Sequence, residues 1–243
     1  MNKLNLAVDE LIYCLYSEGY FEQGMALKTA MLEDLTDEQF EVALQVSCRS
    51  LLAKGYINFN EGKFTVTDDV QKFIKFVSYA EVTYQGAKAI TQEVLTVHNK
   101  DDEYLIHKVL YDGQVHTLEL VEREVAINQL KGFFVVSSNE MESFTVEESK
   151  FEHILKSFDD LDLKFTLPNL TESETLLYQK LEKTEGFLNT LLVIHYTEKN
   201  EPVAQDVLLF TATEENNYAI YKEENGDYII HNNPYKIVKE LVK

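Results

Sequence analysis

The sequence contains few of the residues that support disulfide, metal or membrane-spanning structures. Its 243 residues include two cysteines, three prolines, nine glycines and no tryptophan. Cys14 and Cys48 lie among apolar residues at helical spacing, which predicts two buried thiols and neither a disulfide framework nor a metal site. No apolar run approaches the roughly 20 residues of a membrane span. We therefore expect a cytoplasmic protein that does not insert into membranes.

Basic residues are also scarce. The chain has 22 Lys and Arg against 42 Asp and Glu, a formal net charge of −20. Such a field repels phosphate backbones and anionic lipids, so nucleic-acid and membrane partners are disfavoured. A basic protein partner would be attracted by the same field, although the need for solubility alone also explains the charge.

Sequence signatures of catalysis are absent as well. The chain has no Gly-x-Ser-x-Gly elbow, no Walker loop and no dinucleotide-binding glycine loop. The carboxylate pairs Asp68-Asp69 and Asp159-Asp160 are adjacent in sequence, and adjacent side chains point apart, so neither pair forms an acid/base dyad. We expect no catalytic residues and no cofactor, and predict that the protein is not an enzyme.

The hydrophobic pattern of the first third predicts helices and one hairpin. Residues 6–20 have helical spacing, and Thr36 begins a capping box that starts a helix ending near Gly55. Alternation over 56–59 and 64–66 predicts a short β-hairpin, after which Thr67 precedes a third helix. Between the first two helices, Gly19 and Gly24 predict a loosened chain.

From about residue 91 the period changes to two, which indicates strands. Strands are predicted from Val94 to His98, from Tyr104 to Tyr111 and from Val115 to Val121, with Asp112-Gly113 as a tight turn. Helices follow over 147–158 and 172–183, separated by an Asp-rich stretch and Pro168. A second strand set covers 188–196, 203–211, 218–222 and 228–231, and Pro234 marks the start of a terminal helix.

The predicted fold class is therefore α+β, with helical segments alternating with two antiparallel strand sets in a pseudo-duplicated order. We predict one compact unit over residues 1–243. Its sub-units would be a helical, winged-helix-like part over 1–90, a first strand set over 91–146, and helices with the second strand set over 147–243.

The winged-helix pattern raises the question of DNA binding. A recognition helix must present Lys, Arg, Asn or Gln to the groove. Residues 37–49 instead carry Asp37, Glu38 and Glu41 with the single cation Arg49. A winged-helix transcriptional regulator therefore remains an alternative and not the leading hypothesis.

Three histidines are candidates for a shared site. If Asp112-Gly113 closes a two-residue hairpin, Val109 pairs with His116, and His107 lies diagonally from His116 on the same face. His98 can reach that face from the preceding strand, so three imidazoles could approach a metal. Because that face also carries leucines and valines, we favour histidines that belong to the core and predict no metal site.

Parts of the sequence resemble the EspG family of type VII (ESX) secretion-associated chaperones. The resemblance rests on LAVDEL over residues 6–11, SLLAKGYI over 50–57, the helix at 68–76, NGDY over 225–228 and the Asn233-Pro234 pair. It implies a cytosolic chaperone that binds secretion substrates through loops and helical ends. The chain departs from that family in lacking tryptophan and in being rich in Lys, Asn and Glu, and no binding residue can be transferred.

The leading hypothesis is a cytosolic protein-binding chaperone or adaptor for type VII secretion substrates. Besides the regulator, an acidic immunity or inhibitor protein that neutralises a toxin remains an alternative. The expected binding residues lie in two turn-rich loops: Asn99, Lys100, Asp101, Asp102 and Glu103 in the first, and Glu214, Glu215, Asn216, Asn217 and Tyr218 in the second.

Overall fold

The computed structural model describes residues 1–136, 143–160, 163, 169–198, 200–231, 238 and 242. The chain divides into two compact units. The first comprises residues 1–83, 96–123 and 196–201, and the second comprises 84–95, 124–195 and 202–243. The prediction of one unit over 1–243 stays a prediction.

Helices and strands alternate in blocks along the described residues, which confirms the α+β class. The helices are α1 (Val8–Ser17), α2 (Phe21–Met31), α3 (Asp37–Ala53), α4 (Asp68–Ser78), α5 (Arg123–Phe133), α6 (Glu148–Asp159) and α7 (Glu172–Glu182). The strands are β1 (Lys3–Ala7), β2 (Ile57–Asn60), β3 (Lys63–Val66), β4 (Val82–Ala87), β5 (Val94–Lys100), β6 (Glu103–Leu110), β7 (Val115–Val121), β8 (Phe144–Val146), β9 (Leu188–Tyr196), β10 (Pro202–Thr211), β11 (Ala219–Lys222) and β12 (Tyr228–His231).

In the first unit the strand order is β1-β7-β6-β5. Strand β1 pairs antiparallel with β7, from Lys3↔Glu119 to Ala7↔Val115. One sheet face carries Leu4, Leu6, Leu105 and Leu118, which form a buried cluster with apolar residues of α1 and α4. Leu4 and Leu6 are two residues apart, so both side chains of β1 point into this core.

In the second unit the strand order is β4-β9-β10-β11-β12-β8. The short strand β8 pairs antiparallel with β12 from Tyr228↔Val146 to Ile230↔Phe144. Its buried cluster joins Ile220 and Ile230 of the sheet to Phe151 and Ile154 of α6 and to Leu177 of α7. Helices α6 and α7 therefore pack on this sheet through their apolar faces.

The order of elements confirms the predicted duplication. Each half of the chain has a strand, then helices, then four consecutive strands: β1, α1–α4 and β4–β7 in the first half, and β8, α6–α7 and β9–β12 in the second. In both halves the last strand returns to pair antiparallel with the first strand. Among the described residues, the first half differs from the second in having the β2–β3 hairpin and four helices, in place of two, before its four strands.

A network of polar side chains fixes the N-terminus of α1. Glu10, only 3% exposed, accepts hydrogen bonds from Lys54 Nζ at 2.7 Å, Ser50 Oγ at 2.6 Å and the Ala7 backbone N–H at 2.8 Å. Asp9 accepts a further bond from Ser47 Oγ at 2.6 Å. These contacts tie the first turn of α1 to α3, and they satisfy one backbone donor that the helix itself cannot.

The winged-helix-like part agrees with its prediction. Thr36 Oγ1 accepts from Gln39 N, and the Gln39 side chain accepts from Thr36 N, which completes the capping box of α3. In the β2–β3 hairpin, Phe59 pairs with Phe64 and Ile57 with Val66. Ile57 and Val66 are buried, whereas the two phenylalanines are exposed and lie 4.7 Å apart between ring centroids. The apolar face of the hairpin thus continues from the core into solvent.

Several elements differ from the sequence-based prediction. Residues 3–7 form β1, so the predicted helix over 6–20 is wrong at its start, and α1 begins at Val8. The predicted loosened chain around Gly24 is helix α2. Elements β4, α5 and β8 were not predicted. The predicted separator Pro168 and the terminal helix from Pro234 lie outside the described residues, as does the Asn233-Pro234 pair.

None of the described helices is long and apolar enough to cross a lipid bilayer.

Two helical glycines should respond in opposite directions to alanine. A Cβ at Gly24 would lie 2.4 Å from Tyr16 Cε1, so Gly24→Ala should destabilise the protein by about 1–3 kcal/mol through overpacking. A Cβ at Gly132 of α5 would meet nothing within 4 Å, so Gly132→Ala should stabilise it by up to about 1 kcal/mol through helix propensity. Urea unfolding of both variants tests this prediction. If both substitutions change the free energy of unfolding in the same direction, the close packing at Gly24 is contradicted.

Candidate protein-binding site

The loop between β10 and β11 combines an exposed tip with a buried base. Glu214, Glu215 and Asn216 are exposed, whereas Asn217 and Tyr218 are 1% and 7% exposed. Asn216 adopts a left-handed conformation with φ of 49°, which asparagine tolerates better than most residues. The second predicted binding loop therefore divides into three surface residues and two structural ones.

Asn217 anchors this loop. Its Nδ2 donates to the carbonyl oxygens of Phe134 at 2.9 Å and Thr213 at 2.8 Å. Its Oδ1 accepts from the Thr213 N–H and from the Thr211 hydroxyl, both at 2.9 Å. The Asn217 N–H also donates to the Val135 carbonyl. Because every polar group of the side chain has a partner, the tip stands on a fixed base that is joined to the end of α5.

Lys180 of α7 lies beside this base. Its Nζ is 4.9 Å from the centroid of the Tyr218 ring and donates to the Glu215 carbonyl at 3.2 Å. Burial, together with the neighbouring charge of Lys183, lowers the pKa of Lys180, and burial raises the pKa of the Tyr218 hydroxyl. The ring thus supports a partly desolvated cation next to the acidic tip.

A groove opens on each side of the tip. One has a volume of about 460 Å³ and is lined by Asn128, Lys131, Gly132, Val135, Val136 and the three tip residues. The other, of about 610 Å³, is lined by Ile90, Lys180, Lys183, Thr184, Ala212, Thr213 and the same tip residues. Both grooves combine lysines with exposed apolar groups, whereas the chain as a whole is acidic.

The sequence-based prediction missed the groove residues that are distant along the chain. Lys131 and Val135 come from the end of α5, and Lys180 and Lys183 from the end of α7. Nothing in their local sequence pattern indicates proximity to residues 214–216. In the structure, Val135 has a left-handed φ of 52°, which is unusual for a β-branched residue.

The first predicted loop lies in the first unit. Asp101 and Asp102 are exposed in a tight turn with φ of 50° and 60°. Asn99 is buried and donates from Nδ2 to the Glu103 carbonyl at 3.2 Å, while Glu103 pairs with Lys72 at 2.6 Å. Asn99 is thus a structural residue, and Lys100 is half-buried. The binding role of these residues, like that of the second loop, stays a prediction.

The three histidines form a row across β5, β6 and β7. The observed register pairs Val109 with His116, as predicted. His107 Nε2 lies 2.8 Å from His116 Nδ1, and the rings of His98 and His107 stack at 5.9 Å. Among the described residues, no group of three or more His, Cys, Asp or Glu is placed to hold a metal ion.

Burial determines the protonation of this row. Desolvation lowers the pKa of His98 to about 4, and it also lowers the pKa of His107 and His116. His98 Nδ1 is 2.9 Å from Thr83 Oγ1, and within the described part of the chain His98 Nε2 and His116 Nε2 have no hydrogen-bond partner. At neutral pH the three rings are therefore neutral; His98 and His116 are buried, and His107 is half-buried.

Sequence comparison assigns the chain to a family. A profile of the family described as uncharacterised protein YfjC matches residues 3–242, so the chain belongs to that family. It is 29% identical over 218 residues to the uncharacterised protein YfjC of Bacillus subtilis (strain 168), which covers 85% of this chain and 86% of the relative.

Comparison with solved structures gives a likeness in fold. The chain is similar to the Mycobacterium tuberculosis type VII secretion system chaperone EspG5, whose structure was determined in complex with a PE25–PPE41 dimer. The TM-score is 0.59 over 99% of this chain and 94% of the EspG5 chain, at 9% sequence identity. The fold expected from the sequence resemblance is thus confirmed, while such low identity is informative about fold alone.

Proposed function

We propose that the protein is a cytosolic chaperone or adaptor that binds another protein, without catalysing a reaction, and that its clients are substrates of a type VII secretion system. The observation that carries this proposal is the likeness in fold to EspG5 over 99% of the chain, since that chaperone was solved with a protein dimer bound.

The loop between β10 and β11 is the proposed contact region. An exposed acidic tip between two grooves offers both charged and apolar contacts, and the Asn217 anchor holds the tip in place before binding. A fixed loop loses little conformational entropy on association, which favours affinity. The proposed clients would place basic groups at Glu214 and Glu215 and apolar groups in the grooves.

Co-expression tests the proposal. The tagged protein is produced with each candidate secretion substrate encoded by the same genome, and complexes are isolated by size exclusion at near-physiological salt. We expect a stoichiometric complex with one of them. A triple alanine variant at Glu214, Glu215 and Asn216 should weaken it by about tenfold or more. Alanines at the exposed Glu33, Asp34 and Glu38, which belong to neither predicted loop, are the matched control.

The outcome also separates the alternatives. If no partner is recovered, either in co-expression or from the native cytosol, the proposal is wrong. A complex with a basic toxin in place of a secretion client would favour the immunity-protein alternative. Helix α3 gives no support to a DNA-binding regulator, since it carries one cation, Arg49, and the following Lys54 is paired with Glu10.

A further inference from the structure

Strand β10 has an edge that its neighbour leaves open. Strand β10 is ten residues long, but β11 pairs with it at only two positions, Leu209↔Ile220 and Phe210↔Ala219. The Thr211 N–H donates to the Tyr218 carbonyl, so the backbone of Thr211 points toward β11. Alternate residues of a strand point the same way. The N–H and C=O groups that face this side beyond the paired segment are therefore those of Val203, Gln205 and Val207.

The same segment is exposed to solvent. All six residues from Pro202 to Val207 are exposed, and no described strand pairs with them on the β11 side. Val203 and Val207 are 49% and 53% exposed, and they share one face with Gln205. An open edge that carries apolar side chains is a template on which another strand can pair.

The charge around the edge indicates the chemistry of that strand. Asp206 is the single charged residue from Pro202 to Leu208. Where β11 departs from β10, the chain forms an acidic turn at a groove of about 490 Å³ lined by Lys222, Glu223, Glu224 and Asn225. Because Lys222 is already paired with Glu148, the turn presents mainly carboxylates.

We propose that the open edge of β10 binds an extended basic peptide segment of a partner protein by strand addition. The segment pairs its backbone with Val203, Gln205 and Val207, lays apolar side chains beside the two valines, and directs Lys or Arg toward Asp206 and the acidic turn. A second copy of this chain is a poor occupant, because two chains of charge −20 repel each other. The inference rests on the proposed function, as it names the chemistry of the bound segment.

A defined peptide tests this inference on the wild-type protein. The probe is a fluorescein-labelled decapeptide in which valine alternates with lysine and threonine, and binding is followed by fluorescence anisotropy. A second decapeptide has the same side chains but an N-methyl group on every residue, which removes the donors on both edges. A third has glutamate in place of lysine. We expect the second and third to bind at least about tenfold more weakly than the first.

A matched pair of variants at one position separates the backbone from the side chain. Gln205→Pro removes the outward N–H at an edge position where proline is tolerated, whereas Gln205→Ala keeps it. We expect Gln205→Pro to lose about tenfold or more in affinity and Gln205→Ala to stay within about twofold of wild type.

The inference is overturned if the probe does not bind at millimolar concentration, if the N-methylated peptide binds equally well, or if Gln205→Pro binds like wild type. A dimer that Gln205→Pro dissociates would overturn the choice of occupant. If the edge fails these tests while co-expression still yields a complex, the proposed function stands and only the binding role given to the open edge of β10 is wrong.

Discussion

Replacing Glu10 with alanine should lower the free energy of unfolding by about 3 kcal/mol. The change removes the acceptor of the Ala7 N–H and of Ser50 Oγ, and it leaves Lys54 without its carboxylate partner. Breaking a buried ion pair costs up to about 5 kcal/mol, but the Lys54 side chain is 41% exposed and can be rehydrated, so we expect the lower part of the range. The measurement is urea unfolding at neutral pH.

Two variants serve as controls for Glu10. Glu10→Gln keeps one oxygen as acceptor for the Ala7 N–H, but it loses the charge and replaces the oxygen that accepts from Ser50 Oγ with an NH2 group, so it should cost about 1–2 kcal/mol. Glu41→Ala removes an exposed carboxylate of α3 and should stay within about 0.5 kcal/mol of wild type. If Glu10→Ala resembles Glu41→Ala, the buried network does not stabilise the fold.

The histidine row should make the protein less stable as the pH falls from about 6.5 to about 4. In this range the unfolded chain binds protons at His98, His107 and His116, while the folded protein, with all three pKa values lowered, does not. The contribution of the three neutral histidines to the free energy of unfolding is thus complete above pH 6.5. It decreases as the pH falls toward the pKa values that these histidines have in the folded protein. For His98, a pKa of about 4 in place of 6.5 corresponds to about 3 kcal/mol.

The variant His98→Asn isolates this contribution. Asparagine can keep the hydrogen bond to Thr83 Oγ1 but does not titrate, so the free energy of unfolding should fall less steeply between pH 6.5 and 4 than in wild type. Parallel curves for wild type and His98→Asn would show that His98 is not a neutral core residue.

Elements with local sequence determinants could be predicted from the sequence. Thr36 and Gln39 are three residues apart, and their reciprocal hydrogen bonds start α3 where the capping box predicted it. The Asp112-Gly113 turn likewise fixed the β6–β7 register, because it lies between two alternating segments. In both cases the residues that decide the structure are neighbours along the chain.

Elements that depend on distant partners could not be predicted. Strand β1 has few residues, and its pairing partner β7 is far along the chain, so Leu6 was assigned to the following helix. In α2 only Gly24 is buried, and a helix without an apolar stripe shows no helical period. Strand β8 has three residues, too few to show alternation.

In the candidate site, too, features set by neighbouring residues could be predicted and features set by distant partners could not. The exposed tip at Glu214, Glu215 and Asn216 was predicted from its turn-rich composition. The burial of Asn217 and Tyr218 was not, because the acceptor of the Asn217 amide is the Phe134 carbonyl at the end of α5. Polar residues in a loop sequence indicate a turn, but they do not show which of them face inward.

The pairing of β1 with β7 also sets the timing of folding during synthesis. Lys3 cannot meet Glu119 until the ribosome has made every residue between them, which takes on the order of ten seconds. Throughout that interval Leu4 and Leu6, buried in the finished protein, lack Leu105 and Leu118, the strand residues of their apolar cluster. During synthesis the residues of β1 are therefore unpaired, just as one edge of β10 is unpaired in the folded protein.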